Sequence, residues 1–190
     1  MTVTSFTRED LIAGIRAVIE KLSIAGEPGG IHIIGGAALA LLYFDRRVTT
    51  DIDAQLVPEE SILKVSHQVA LEKGWPSDWL NSKATMFMPL FSLGLDWRNI
   101  YADGLVTISV ASAKALLAMK IYASRIGRDE QDVANLLAIC AIENVEECES
   151  LMDSYYPGEG LPPKALRLLT AIFERGVPHV PKMPKPPRFN

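Results

Sequence analysis

The chain has 190 residues, 48% hydrophobic and 22% charged, with a formal net charge of −4 at pH 7. These are values of an ordinary globular protein, and the acidic balance argues against a broad basic face for nucleic acid while leaving room for an RNA met through a local patch. The longest apolar run, Gly35 to Phe44, falls short of the ~18 residues of a membrane span, the start of the chain carries no basic-then-apolar leader, and Cys140 with Cys148 makes no disulfide framework, so a cytoplasmic protein without membrane contact is expected.

In chain order, Thr7 and Asp10 read as the capped start of a helix, and Leu11, Ile12, Ile15, Val18, Ile19 and Leu22 recur at helical spacing after it. Glu27-Pro28-Gly29-Gly30 ends that helix, and Ile31–Ile34 follows as a strand. Ala37–Phe44 is nearly all apolar and is expected as a short buried helix. Asp51–Val57 reads as a strand closed by Pro58, and Glu59–Lys73 as a surface helix with Ile62, Leu63, Val65, Val69 and Leu71 as its apolar members. Gly74–Asp78 is a loop, Trp79–Trp97 has no clear period, and Leu105–Val110 is a strand. Helices are expected over Ser112–Ile126, Arg128–Ile142, Val145–Tyr155 and Pro163–Arg175, with Gly127 breaking the first pair. Pro178, Pro181, Pro184, Pro186 and Pro187 keep the tail from Gly176 to Asn190 out of a helix, extended or disordered. The expected class is α/β (α+β), a mixed sheet flanked by helices over residues 1–112, then a helical portion over 113–175 and a Pro-rich tail over 176–190.

Chemistry is most concentrated between Ile31 and Asp53. A strand runs into Gly35-Gly36 and a helix, and a second strand then carries Asp51-Ile52-Asp53. Strand side chains alternate, so Asp51 and Asp53 share one side while Ile52 takes the other. Two carboxylates aimed at one point repel unless a cation lies between them, and Mg²⁺ takes one or two carboxylates and completes its shell with water and phosphate oxygens. Glycines at a helix start let backbone N–H groups approach a phosphate. Each half has a plain alternative: solvated carboxylates on an edge strand, and a tight turn without ligand. Together they describe a site for a nucleoside triphosphate and Mg²⁺.

The arrangement Gly35-Gly36-Ala37-Ala38-Leu39, then Arg47-Val48-Thr49-Thr50-Asp51-Ile52-Asp53, resembles the DNA polymerase β-like nucleotidyltransferase superfamily. Within it the chain is similar to the bacterial AbiEii and MenT-type toxins of toxin–antitoxin systems. Trp79-Leu80-Asn81, Phe87-Met88-Pro89, Leu116-Leu117-Ala118-Met119-Lys120 and Arg128-Asp129-Glu130-Gln131-Asp132-Val133 extend the likeness, which covers roughly Ile31 to Leu137. The resemblance implies a nucleotidyltransferase fold, Mg²⁺ on Asp51 and Asp53, triphosphate on Gly35 and Gly36, and a cognate antitoxin. It implies an RNA acceptor, the 3′ end of tRNA. It also implies a triphosphate-facing Lys120, a phosphate or acidic contact for Arg47, and a site role for Asp132, with Asp129 as the other candidate. From residue type alone, Arg47 is equally an exposed loop arginine, Lys120 a snorkelling surface lysine, and Asp129 a helix-start carboxylate favoured by the dipole.

One departure stands out. Related sequences carry a carboxylate after Trp-Leu-Asn, whereas this chain has Ser82, leaving Asp78, Asp96 and Asp103 as acidic candidates for a third ligand. His32 is expected as a satisfied core histidine. His67 and His179 have no partners at metal-ligand spacing, so a zinc site is rejected. Lys182, Lys185 and Arg188 form a small basic tail, either solvated or touching RNA phosphate. Two other functions fit the same residues: a transferase acting on a protein hydroxyl or a small molecule such as an aminoglycoside, and a non-catalytic nucleotide-binding module.

Overall fold

The structure, a computed structural model, describes residues 5–45, 48–89, 95–125 and 127–189. It contains a five-stranded mixed sheet and seven α-helices, divided between two compact units. Met1–Thr85, Trp97–Ala111 and Met183–Asn190 form the sheet unit; Met86–Asp96 and Ser112–Lys182 form the helical unit. No helix among the described residues is long and apolar enough to cross a membrane.

The strands are β1 (Gly29–Ile33), β2 (Ile52–Val57), β3 (Leu80–Asn81), β4 (Trp97–Ala102) and β5 (Val106–Ala111), in spatial order β3-β2-β1-β5-β4. β1 is central, antiparallel to β2 and parallel to β5. β3 runs parallel to β2, bringing Asn81 level with Asp53. Alternation places Ile31, Ile33, Ile52, Ala54 and Ile108 in the core. His32 and Ser109, paired in register across β1 and β5, bond to each other at 2.5 Å, and the His32 ring lies 5.1 Å from Trp97. The expectation of a satisfied histidine fits this contact, and burial lowers its pKa.

Three helices belong to the sheet unit: α1 (Arg8–Ala25), α2 (Gly35–Leu42) and α3 (Glu59–Lys73). Each packs against the strands. Thr7 and Asp10 close a reciprocal capping box at the start of α1, and Gly26 ends it with φ 67°. α2 is buried from Ala37 to Leu42, as its apolar composition requires. In α3, Leu71 is 84% exposed and is not a core residue; the buried stripe is Ile62, Val65, Ser66, Val69 and Ala70. Phe6, Trp75 and Trp79 stack edge-on at 4.8 and 5.1 Å, and the Trp79 indole donates to the Ser66 carbonyl at 3.0 Å.

The end of the tail is part of the sheet unit. Arg8 donates from Nε and Nη2 to the Ala40 and Leu41 carbonyls at 3.1 and 3.2 Å, satisfying acceptors at the end of α2. Its Nη2 also donates to the Lys185 carbonyl at 2.6 Å, and Arg16 donates to the Arg188 carbonyl at 3.0 Å. Phe189 is buried with its ring edge-on to Tyr101. This segment is therefore extended and docked.

The helical unit comprises α4 (Ala113–Ala123), α5 (Glu130–Cys140), α6 (Val145–Tyr155) and α7 (Pro163–Arg175). Ser112 and Asn144 cap α4 and α6 through their side chains. Leu116, Leu117, Val133, Leu136, Leu137, Met152 and Leu169 fill its core. Cys140 and Cys148 are free, and burial pushes their thiols up to about 11 and about 12, so both stay protonated at neutral pH.

Candidate functional site

Gly35 is where β1 turns into α2, with φ 65°, a backbone that glycine adopts without the Cβ penalty. A Cβ there would lie 3.1 Å from Asp53 Oδ2, so backbone and carboxylate approach each other closely. The Ile34 N–H donates to the Asp53 carbonyl at 2.9 Å and locks the end of β1 to β2. Ile34 is the N-cap of α2 and supplies no side-chain hydrogen bond, so Gly35 and Gly36 open a helix whose positive end is not capped by that residue.

Asp51 lies immediately before β2 and Asp53 within it; both are partly exposed. The strand thus begins one residue later than the sequence suggests, because the first ladder partner is Ile52 opposite Leu80. Asp51 is held from both sides. Thr50 Oγ1 donates to its Oδ1 at 3.2 Å, and Asn81 Nδ2 donates to its Oδ2 at 3.3 Å. Thr49, buried and bridged to Phe6, donates from Oγ1 to the Asp51 carbonyl at 3.3 Å. Each carboxylate oxygen has two acceptor positions, so these bonds leave capacity for a cation.

Lys83 completes the surroundings. Its ammonium pairs with Asp78 Oδ2 at 2.5 Å. Its pKa is raised by the hydrogen bond and charge of Asp78 and, less strongly, by the charges of Asp51 and Asp53. Asp78 is thereby committed to Lys83, whose hydrogen bond lowers its pKa. Asp103 accepts from the Leu105 and Val106 N–H groups at 2.9 and 2.7 Å and from Tyr101, so it closes the β4–β5 turn. The Asp96 carbonyl accepts from Ser112 within the helical unit. Ser82 donates to Glu59.

Among the described residues no group of three or more His, Cys, Asp or Glu side chains is placed to hold a metal. Asp51 and Asp53, whose charges both act on Lys83, nevertheless suit Mg²⁺, which takes few protein ligands where phosphate oxygens and water supply the rest. The donor set is hard oxygen throughout, which excludes a soft-metal site.

Lys120 and Asp132 come together in the helical unit. Lys120 Nζ lies 2.7 Å from Asp129 Oδ1 and 3.0 Å from Asp132 Oδ2, all three residues being at most 6% exposed. Arg125 Nε pairs with Asp129 Oδ2 at 3.0 Å. Lys120 is thus no snorkelling surface lysine: it is buried between two buried carboxylates, and the exposed Arg125 adds a second positive charge to Asp129 from outside, joining the end of α4 to the start of α5. Burial pushes the Asp129 carboxyl up, but the charges and hydrogen bonds of Lys120 and Arg125 outweigh it and hold it below its ordinary value. Arg47 lies outside the described residues.

Sequence reasoning assigned no role to Asn81, Lys83 or Arg125. Arg125 and Asp129 lie in the connection between α4 and α5, where no helical spacing announces their pairing. Asn81 acts across 30 residues through the register of a two-residue strand, and no local pattern announces that. In comparisons with protein-family models, curated proteins and solved structures, no match to this chain was found.

Proposed function

We propose that this chain is a Mg²⁺-dependent nucleotidyltransferase of the DNA polymerase β-like fold. In the proposed reaction the acceptor hydroxyl oxygen bonds to the α-phosphorus of a nucleoside triphosphate, the bond to the bridging oxygen breaks, and pyrophosphate leaves. Asp51 and Asp53 would hold Mg²⁺, which neutralises phosphate charge and activates the attacking oxygen. Gly35 and Gly36 offer backbone N–H groups to the triphosphate at the start of α2. The resemblance adds Arg47 as a phosphate-directed candidate, whereas Lys120 and Asp132 are engaged with each other and with Asp129 in the helical unit.

The observation that carries this reading is the close approach of Gly35 to Asp53: a side-chain-free helix start beside a carboxylate, where a phosphate and its cation belong together. The likeness of Gly35-Gly36 through Asp53 to AbiEii and MenT-type toxins extends the proposal to the 3′ end of tRNA as acceptor and to a cognate antitoxin as partner.

The test is purified protein with Mg²⁺, each α-labelled nucleoside triphosphate in turn and total cellular RNA, with Asp51→Asn alongside. Label entering RNA with the wild type alone supports the proposal and names the nucleotide. Label in protein or a small molecule keeps the chemistry and replaces the acceptor. No transfer anywhere, with nucleotide still bound, favours a non-catalytic module, the reading that a two-carboxylate site also permits.

A further inference from the structure

Asn81 makes more contacts than a spacer on an edge strand requires. The residue is 6% exposed. Its Oδ1 accepts from the Lys83 N–H at 2.9 Å, and this fixes which way the amide faces. Nδ2 then has two acceptors, the Asp78 carbonyl at 3.1 Å and Asp51 Oδ2 at 3.3 Å. Parallel pairing sets Asn81 level with Asp53, so one residue is tied to both acidic positions, to Asp53 by the ladder and to Asp51 by the amide. The 78–83 segment is closed by the same side chain. A carboxylate at this position would keep the Lys83 bond but would turn an oxygen toward the Asp78 carbonyl and Asp51 Oδ2, two repulsive contacts in place of two hydrogen bonds.

We propose that Asn81 is the positioning residue of the cation site: its locked amide holds the Asp51 carboxylate oriented for a divalent cation and adds no third negative charge. The inference rests on the proposal that Asp51 and Asp53 hold Mg²⁺. A neutral donor in this place orients a ligand through its outer contacts, an arrangement whose removal ordinarily weakens metal binding about 10–100-fold.

The experiment measures Mn²⁺ binding by electron paramagnetic resonance, and thermal melting with and without Mn²⁺, for the wild type, Asp51→Asn, Asn81→Ala and Asn81→Asp, all without nucleotide. The wild type is expected to bind Mn²⁺ and Asp51→Asn to lose it. Asn81→Ala is expected to bind at least about 10-fold more weakly. Asn81→Asp is expected to melt below the wild type without metal and to gain more from Mn²⁺ than the wild type does, because the cation relieves the repulsion that the new carboxylate creates. A purely structural Asn81 would lower melting in both variants and leave the Mn²⁺ increment unchanged, and that result overturns the proposal. If Asn81→Ala fails to fold, the Mn²⁺ increment of Asn81→Asp decides alone. Wild type that binds no Mn²⁺ overturns the cation reading itself and this inference with it. Wild type and Asn81→Ala binding equally overturns the role of Asn81 only.

Discussion

Gly35 and Asp53 are in contact distance in a way that only glycine permits: a Cβ on Gly35 would lie 3.1 Å from Asp53 Oδ2 and 3.6 Å from Asp53 Cβ. Gly35→Ala therefore meets two penalties. The left-handed backbone at φ 65° costs about 1–2 kcal/mol in an L-residue, and the methyl group presses on the carboxylate. Gly74 has the same φ of 65° at the end of α3 with nothing within 4 Å of its Cβ, so Gly74→Ala carries the backbone cost alone. In urea denaturation Gly35→Ala should lose more stability than Gly74→Ala, and it alone should lose the proposed nucleotidyl transfer. Equal losses with activity intact would mean that Asp53 shifts freely.

Lys120 sets the second expectation. Lys120→Met leaves Asp129 and Asp132 buried without their shared ammonium, a change of about 3–5 kcal/mol. The direction with pH follows from Asp129, whose folded-state pKa is depressed. Its stabilising contribution is complete above the ordinary carboxylate value and is lost as pH falls through the lower folded value. In Lys120→Met the buried Asp129 carboxylate, left with Arg125 alone, instead gains from protonation. The stability deficit of the variant should shrink as denaturation is moved from pH 7 toward pH 4, and a deficit constant across that range would contradict the ion-pair account.

Much of the architecture was legible because it is written locally. The Thr7–Asp10 capping box, the Ser112 start of α4 and the apolar α2 each follow from a few neighbouring residues. The helices expected over Val145–Tyr155 and Pro163–Arg175 are α6 and α7, with Asn144 capping the first and Pro163 at the first position of the second. β4 escaped because Trp97–Ala102 is an edge strand that lacks a buried alternating face. Leu71, one of the apolar members of α3, faces outward, because apolar type does not decide which side of a helix faces the core. In the candidate site, Gly35 with Asp53 was readable as a motif. The tie from Asn81 to Asp51 arises from chain segments brought together by folding.

Gly14 illustrates how tertiary packing reverses a local rule. In an exposed helix interior Gly→Ala stabilises by about 1 kcal/mol. Here a Cβ on Gly14 would stand 2.5 and 2.7 Å from Trp79 ring atoms and 2.9 Å from Trp75. Trp79 is fully buried and bonded to Ser66, so it has little room to yield. Gly14→Ala should lower stability by about 1–3 kcal/mol, the range for overpacking. The tryptophan emission of the folded state should change with it, and a higher melting temperature would refute the contact.

The tail offers the last expectation. A proline-rich, basic end reads as solvated, yet Phe189 is 6% exposed and Met183, in the same segment, is 54% exposed. Burying a phenylalanine side chain is worth about 1.5–3 kcal/mol, and the Arg8 and Arg16 bonds to the Lys185 and Arg188 carbonyls hold the backbone that delivers it. Phe189→Ala should cost about that amount in urea denaturation, whereas Met183→Ala should stay within about 0.5 kcal/mol of the wild type, as surface substitutions do. A loss from Phe189→Ala no larger than that from Met183→Ala would mean the tail is not docked in solution. A selective loss would make the last residues of the chain a structural part of the sheet unit, through Tyr101 on β4 and the two arginines of α1.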